Sequence, residues 1–176
     1  EGPQGATNAA PGVGAEMVVE ADEYDRSFLR LHPDVAIITN IDYDHPDIFA
    51  TLEDYDQAFV DFVSGMRAGG TPVISADDPG CARVMASPGW RPGVEVVTVG
   101  ASPNATWRTE RTDEGVRVVG QDDVAVSLAL RVPGDHNVQN AAAALAALTA
   151  LGYDASAAAA ALADFPGVGR RFEAKG

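Results

Sequence analysis

The chain has 176 residues and is strongly acidic, with 26 Asp and Glu against 12 Lys and Arg and a formal net charge of −14. This balance excludes the basic footprint that nucleic-acid binding needs, and no stretch reaches the ~18 to 20 apolar residues of a membrane span. The length suits one domain, and a lone cysteine, Cys81, excludes an internal disulfide and favours a reducing, cytoplasmic setting.

The first half of the chain alternates predicted strands and helices. After a predicted loop over residues 1–15, the predicted strands are 16–20, 34–40, 71–75 and 94–100, and the predicted helices are 24–31, 52–66 and one that begins at 77–80. In 52–66 the apolar residues recur at helical spacing. This alternation predicts an α/β fold, with a mostly parallel sheet flanked by helices.

The second half breaks this rhythm. Residues 105–111, 116–119 and 124–132 are predicted strands with short turns between them, so we expect a small antiparallel sheet within 101–133. Two Ala-rich helices follow, the first from about Asn137 to Leu151. Asp154 is the predicted N-cap of the second, which ends near Asp164.

Two acidic clusters follow two apolar runs. Glu20-Ala-Asp-Glu-Tyr-Asp25 comes after Met17-Val-Val, and Thr39-Asn-Ile-Asp-Tyr-Asp-His45-Pro-Asp47 comes after Val35-Ala-Ile-Ile. Runs of β-branched residues are typical of strands buried in a parallel sheet, where ligands bind beyond the carboxyl ends. One such cluster alone is better interpreted as a solvated face. Two at equivalent strand ends predict a cation site, with Glu20 and His45 close together, because a cation relieves the repulsion.

Two further segments are candidates for nucleotide contacts. Asn137 and Asn140 are three residues apart, so they share one face of a helix's first turn, where two carboxamides can contact a base or simply cap the helix. Arg170 and Arg171 follow a glycine-rich turn and suit phosphate oxygens, although a solvent-exposed basic pair explains them as well.

Together these segments resemble the Mur ligases, the ATP-dependent amide-forming enzymes of peptidoglycan synthesis. The resembling pieces occur in the family's order and cover nearly the whole chain: Val18-Val-Glu-Ala-Asp-Glu-Tyr-Asp-Arg-Ser-Phe-Leu29, Thr39-Asn-Ile-Asp-Tyr-Asp-His-Pro-Asp47, Asp77-Asp-Pro79, Gly134-Asp-His-Asn-Val-Gln-Asn140 and Gly167-Val-Gly-Arg-Arg-Phe-Glu173. Each piece alone is a weak signal, whereas the ordered set is specific.

The resemblance implies ATP and Mg²⁺ as cofactors and a role for each matching residue. Glu20 and His45 match the family's metal-binding glutamate and histidine, although the residue types alone suggest zinc or manganese. Asn137 and Asn140 match the positions that contact adenine, and His136 lies in the same motif. Arg171 matches the arginine that reaches the nucleotide, and Arg170 is next to it.

Two departures from the family pattern bear on activity. The phosphate-binding Gly-Lys-Thr loop, which precedes the metal glutamate in the family, stands nowhere in this chain. The family's flanking domains, which grip the UDP-sugar and bring the amino acid, are absent as well. The resemblance therefore predicts that residues 1–176 are most of a single P-loop-type central domain, truncated at both ends and inactive alone.

The branch of the family is indicated by a missing lysine. Several relatives carry a carbamylated lysine on the helix after the histidine, but residues 52–66 hold none and Phe59 takes the aligned place. This fits the alanine-adding branch, which implies UDP-N-acetylmuramate and L-alanine as substrates of the whole enzyme.

Two alternatives remain at this stage. A murein tripeptide ligase shares the Glu-Ala-Asp-Glu-Tyr-Asp run, but the short link from Arg26 to Asp34 argues against it. A non-catalytic nucleotide-binding or assembly module also fits the missing loop.

The strand that leads into that loop in the family is missing as well, so we expect the sheet to have an open side. We expect the chain to self-associate across this side, because residues 1–14 make a poor replacement strand.

Overall fold

The computed structural model describes residues 13–90, 95–113, 115–121 and 124–167. Within these residues a 3₁₀ helix, Tyr24–Arg30, precedes six strands and four α-helices. The strands are β1 Val35–Ile38, β2 Thr71–Ser75, β3 Val97–Gly100, β4 Trp107–Thr112, β5 Gly115–Val119 and β6 Ala125–Leu128. The α-helices are α1 Leu52–Ser64, α2 Pro79–Met85, α3 Asp135–Ala150 and α4 Ala155–Ala163.

All six strands belong to one sheet in the order β1-β2-β3-β4-β5-β6. The first four are parallel neighbours, and β4, β5 and β6 pair antiparallel. The predicted α/β class is therefore confirmed. The antiparallel strands expected within 101–133 are present as β4, β5 and β6. They are continuous with the parallel sheet, because β4 pairs with β3 through Val99 and Trp107.

The two faces of the sheet bury two different cores. Aromatic and branched side chains of the 3₁₀ helix, α1, α2 and the loop before α1 cover one face, with Phe49, Tyr55 and Val63 among the most buried. Small side chains of α3 and α4 cover the other face against β2 to β6. The Ala-rich composition of α3 follows from this packing, since Ala lets a helix approach the strands closely and is the best helix former.

Side-chain caps fix where three helices begin. Thr51 accepts a hydrogen bond from the backbone N–H of Asp54, Asp78 from that of Cys81, and Asp154 from that of Ala157. Each satisfies a backbone donor that the first helical turn leaves unpaired. The predicted cap at Asp154 and the helices after it and over 52–66 are confirmed.

The predicted strand over 16–20 is wrong in this structure. These residues pair with no strand in the described chain, and Met17 and Val18 are 87% and 98% exposed. A buried strand needs a hydrogen-bonding neighbour and a cover on each face, and apolar sequence alone supplies neither. As a consequence β1 has only β2 as a described neighbour, and its Ile37 is 45% exposed.

Cys81 is expected to be unreactive in the folded chain. Its side chain is buried at the start of α2, and its thiol donates to the carbonyl of Ile38 at 3.9 Å. Burial, with the hydrogen bond and charge of Asp78 adding to it, raises the pKa of the thiol to about 12. Because the thiolate is the reactive form, we expect thiol labelling at neutral pH to be at least ~100-fold slower than in the urea-unfolded chain. Equal labelling rates with and without urea would contradict this.

Candidate functional site

Two acidic loops meet beyond the carboxyl end of β1. One contains the 3₁₀ helix and the other runs from Thr39 to Phe49. Nε2 of His45 lies 3.5 Å from Oε1 of Glu23, and the rings of His45 and Tyr24 stack edge to face with centroids 5.2 Å apart. The two acidic clusters are therefore in contact at one edge of the sheet, as predicted. The residues of the first cluster that make this contact are Glu23 and Tyr24.

Backbone strain is concentrated at this meeting point. Asp25, Arg26 and His45 have φ values of 55°, 53° and 57°, and they are the non-glycine residues with positive φ in the described chain. Left-handed conformations of such residues are disfavoured and persist only where the surrounding structure holds them. Their confinement to two touching loops marks this edge as the candidate functional site.

Arg26 holds the first of these strained turns. Its guanidinium donates to Oδ2 of Asp54 at 2.5 Å and lies over the ring of Phe49, 4.6 Å from the centroid. The same carboxylate oxygen accepts from the backbone N–H of Ala50. The hydrogen bond from Arg26 keeps the pKa of Asp54 below its usual value. Arg26 thus ties the 3₁₀ segment to the start of α1.

The second loop is held by its own backbone and by α2. The carbonyl of His45 accepts from the N–H groups of Ile48 and Phe49, each at 2.9 Å, and the Tyr43 hydroxyl donates to the carbonyl of Phe49 at 2.7 Å. The N–H of Ile41 donates to Oδ1 of Asp78, the N-cap of α2. His45 therefore stands on a loop that is fixed at both ends.

A cavity of about 470 Å³ opens between these loops and β1. Aromatic side chains form much of its lining, and carboxylates stand at its edge; the lining includes Phe28, Tyr43, Tyr55, Phe59, Phe62, Glu23, Asp42 and Asp44. Burial, followed by the charges of Glu23, Asp44, Asp42 and Asp56, raises the pKa of Tyr55 to about 12. The cavity thus carries a negative potential, which favours a cation over an anion at its mouth.

The residues present do not form a complete metal site in this arrangement. Carboxylates and an imidazole are suitable ligands for a divalent cation. Within the described ranges, however, no three His, Cys, Asp or Glu side chains are grouped so as to hold a metal ion. His45 has Glu23 and Asp44 within 4 Å, whereas Glu20 lies on the exposed, unpaired segment and makes no described contact with it.

The start of α3 lies at the same edge of the sheet. Nε2 of Gln139 donates to Oδ2 of Asp77, just beyond β2, at 3.3 Å and to the hydroxyl of Thr109 at 3.4 Å. Asp77 also accepts from the N–H groups of Ala101 and Ser102 at 2.6 and 2.9 Å. The Asp77 carboxylate therefore joins the loop after β3 to the N-terminal part of α3.

The predicted nucleotide residues lie at this helix start or outside the described chain. The side-chain amide of Asn137 donates to the carbonyl of Pro133 at 2.6 Å, so its donor serves the local backbone. Asn140 is exposed and has no hydrogen-bond partner in the described chain, and exposed His136 packs its ring against Gly134. Arg170 and Arg171 lie outside the described residues.

Sequence reasoning did not single out Glu23, Arg26 or Gln139. All three lie inside sequence motifs whose other residues were predicted to form the site, so their proximity to the site was detectable. The left-handed turn at Asp25 and Arg26 carried no signal, since such a turn is usually marked by glycine. Gln139 is distinguished by its buried Oε1, which has no hydrogen-bond partner in the described part of the chain.

This chain belongs to the Mur ligase family, since the sequence model of the Mur ligase middle domain matches residues 8–148. Its relatives include the UDP-N-acetylmuramate–L-alanine ligases of Clavibacter michiganensis, 47% identical over 94% of this chain, and of Burkholderia cenocepacia, 42% identical over 96%. That of Roseiflexus castenholzii is 37% identical over 92% of the chain. The matches take up 34%, 37% and 38% of these relatives, so the chain spans about a third of their length.

Solved structures agree with the family and the fold. A UDP-N-acetylmuramate:L-alanyl-γ-D-glutamyl-meso-diaminopimelate ligase from Neisseria meningitides superposes with a TM-score of 0.68 at 26% identity, over 82% of this chain and 44% of that one. MurF from Acinetobacter baumannii gives a TM-score of 0.65 over 84% and 32%, and at 20% identity it shows the fold alone. No helix in the described ranges has the length and apolar character to cross a membrane.

Proposed function

We propose that this chain is the central, nucleotide-binding part of an enzyme that joins L-alanine to UDP-N-acetylmuramate in peptidoglycan synthesis, in the cytoplasm. The observation that supports this most is the match of nearly the whole chain to ligases of that name at 37–47% identity. In the reaction, a muramate carboxylate oxygen attacks the γ-phosphorus of ATP and ADP leaves. The alanine amine then attacks the acyl carbon, loses a proton and displaces phosphate.

ATP and Mg²⁺ are the proposed cofactors, and residues 1–176 are the proposed single central domain. We propose that Glu20 and His45 serve the metal, and that the nucleotide is bound by Asn137, Asn140, His136, Arg170 and Arg171. The acidic cavity beside His45 and the exposed first turn of α3 support this assignment, since both lie at the carboxyl edge of the sheet. The protein's contribution is positioning and charge neutralisation rather than covalent catalysis.

The nearest rival is a ligase that adds a preformed tripeptide, and the likeness to the Neisseria structure favours it. A phosphate-release assay separates the two in the longer protein that we propose. With ATP and UDP-N-acetylmuramate, we expect L-alanine to stimulate release and the tripeptide L-alanyl-γ-D-glutamyl-meso-diaminopimelate to leave it unchanged. Stimulation by the tripeptide alone would assign the rival function. A folded protein that responds to neither would indicate a non-catalytic nucleotide-binding or assembly module.

The 176-residue chain by itself is expected to bind ATP weakly and to show no ligase turnover. It has no Gly-x-x-x-x-Gly-Lys-Thr sequence, and so lacks both the backbone cradle and the lysine that hold the β- and γ-phosphates. Contacts to adenine near Asn140 can remain. Calorimetric titration with Mg-ATP is expected to give an affinity weaker than micromolar, and micromolar or tighter binding would show that the missing loop is not the main source of affinity.

Self-association is the expected behaviour of the chain at high concentration. Within the described residues, the outer edge of β1 has no strand neighbour, and Ile37 on β1 is exposed. An edge of this kind tends to pair with other strands. Sedimentation velocity over a range of concentrations is expected to show a reversible increase in mean mass. A charge on that edge, Ile37→Lys, is expected to suppress the increase, whereas the exposed Leu151→Lys on the α3–α4 connection is not. Equal effects of the two substitutions would place the association elsewhere.

A further inference from the structure

Arg26 completes a closed ring of contacts around His45. Its backbone N–H donates to the carbonyl of Glu23 at 3.0 Å, and Oε1 of Glu23 lies 3.5 Å from Nε2 of His45. On the other side, the carbonyl of His45 accepts from the N–H of Phe49 at 2.9 Å, and the Arg26 guanidinium lies over the Phe49 ring. The two acidic loops are thus joined through Arg26 at one point of the ring and through His45 at another.

Asp54 fixes the guanidinium in this place. Its Oδ2 accepts from Nη2 of Arg26 at 2.5 Å and from the N–H of Ala50 at 3.3 Å, and its own N–H donates to the Thr51 hydroxyl that caps α1. A hydrogen bond between two charged groups is stronger than one between neutral groups, and stacking of the guanidinium on an aromatic ring adds attraction. Because Asp54 belongs to the first turn of α1, Arg26 ties its own turn to a helix.

The backbone shows that this contact holds the turn against its local preference. Asp25 and Arg26 have φ values of 55° and 53°, and a left-handed conformation of such residues persists only where other contacts hold it. Phe28 packs on α1 and fixes the later part of the 3₁₀ helix. We therefore expect the turn that carries Glu23 and Tyr24 to depend on the side chain of Arg26.

We propose that Arg26 is a positioning residue of the ligase, which holds the His45 imidazole in the orientation that turnover needs. The inference rests on the proposed function, in which His45 serves the reaction. The imidazole is contacted by the Glu23 carboxylate and by the Tyr24 ring, and both belong to the turn that Arg26 holds. A displacement of about 1 Å in an active site can lower turnover about 100-fold, so a residue that acts through His45 can have a large effect.

Proton NMR of the 176-residue chain tests the positioning without any substrate. Nuclear Overhauser effects between the rings of Tyr24 and His45 are expected in the parent, because the rings stack edge to face. Arg26→Gln removes the guanidinium and is expected to abolish these effects. The matched control is Arg67→Gln, which removes an ion pair to Asp34 beyond the other end of α1 and is expected to leave the effects intact.

Steady-state kinetics of the longer ligase separate positioning from substrate binding and from stability. Arg26→Gln is expected to lower kcat by about 10- to 100-fold with unchanged KM values for ATP and L-alanine. The urea midpoint is expected to change little, because both side chains of the ion pair are partly exposed and such pairs contribute little to stability. Arg67→Gln is expected to leave both kcat and the KM values unchanged.

Two further variants identify the contact that is responsible. Asp54→Asn keeps an acceptor for the N–H of Ala50 and is expected to lower kcat as Arg26→Gln does. The double variant is expected to be no worse than either single one, since all three remove the same contact. Arg26→Lys is expected to fall between the parent and Arg26→Gln, because an ammonium keeps the charge near Phe49 but lacks the planar fork.

The outcomes that overturn the inference differ in what else they affect. Persistence of the Tyr24–His45 effects in Arg26→Gln would refute the positioning and leave the ligase assignment untouched. Loss of these effects with unchanged kcat, a rise in KM alone, or an equal loss of kcat in Arg67→Gln would each refute the role in turnover. A parent protein without L-alanine-dependent phosphate release would refute the proposed function and, with it, the role of Arg26 in the reaction.

Discussion

Gly80→Ala is expected to lower the free energy of unfolding by about 3 kcal/mol or more, a large part of the ~5 to 15 kcal/mol by which a folded domain is usually stable. A Cβ at Gly80 would lie 1.9 Å from the carbonyl oxygen of Ile41 and 2.8 Å from its carbonyl carbon. Both are backbone atoms, so α2 must move away. That movement breaks the hydrogen bond from Ile41 to Asp78, which anchors the loop that carries His45.

Gly65→Ala is the matched control for this substitution. Gly65 ends α1 with φ of −81°, and a Cβ there comes no nearer than 3.4 Å to another atom. Alanine at such a position changes stability by about 1 kcal/mol or less, and often increases it. Urea unfolding followed by circular dichroism measures both variants. Unfolding midpoints of the Gly80 and Gly65 variants that coincide would show that α2 does not pack on Ile41 as described.

Glu20→Gln and His45→Asn are each expected to lower turnover of the proposed longer ligase by about 100-fold or more. The reason is the loss of charge stabilisation at the transferring phosphoryl group, which usually contributes at least this much. Asparagine is the chosen replacement for His45 because it tolerates positive φ, so the loop is preserved while the imidazole is removed.

Two further variants make this second prediction specific. Glu53→Gln changes an exposed carboxylate in the first turn of α1, away from the cavity, and is expected to leave turnover unchanged. Glu23→Gln alters the carboxylate that contacts His45 in this structure. If Glu23→Gln lowers turnover as much as His45→Asn while Glu20→Gln does not, the partner of His45 is Glu23, and the proposed pairing of Glu20 with His45 is wrong.

Local signals in the sequence predicted much of the fold. The strand 71–75 and the helix over 52–66 follow from β-branched and helical patterns that need no distant partner, and Asp154 caps a helix through atoms three residues away. The strand over 16–20 failed for the opposite reason. Its apolar run needs a hydrogen-bonding neighbour and a cover on each face, and within the described residues it has neither.

The candidate site was predicted in outline but not in detail. Placement of the two acidic clusters after apolar runs predicted that the clusters meet at one edge, with Glu20 close to His45. The clusters do meet, but the residue that contacts His45 is Glu23. The strained turn at Asp25 and Arg26 was not predictable, since tertiary contacts from Asp54 and Phe49 hold it and no glycine marks it. The link from Gln139 to Asp77 joins residues 62 positions apart and depends on the whole sheet being assembled.

The most direct test of the proposed function is to follow oxygen from the muramate carboxylate into phosphate. UDP-N-acetylmuramate labelled with ¹⁸O in that carboxylate is incubated with ATP, L-alanine and the longer protein that we propose, and the released phosphate is analysed by mass spectrometry. Because the carboxylate attacks the γ-phosphorus and the amine then displaces that phosphate from the acyl carbon, we expect one ¹⁸O in each phosphate released. Phosphate without ¹⁸O, released in an L-alanine-dependent manner, would contradict it.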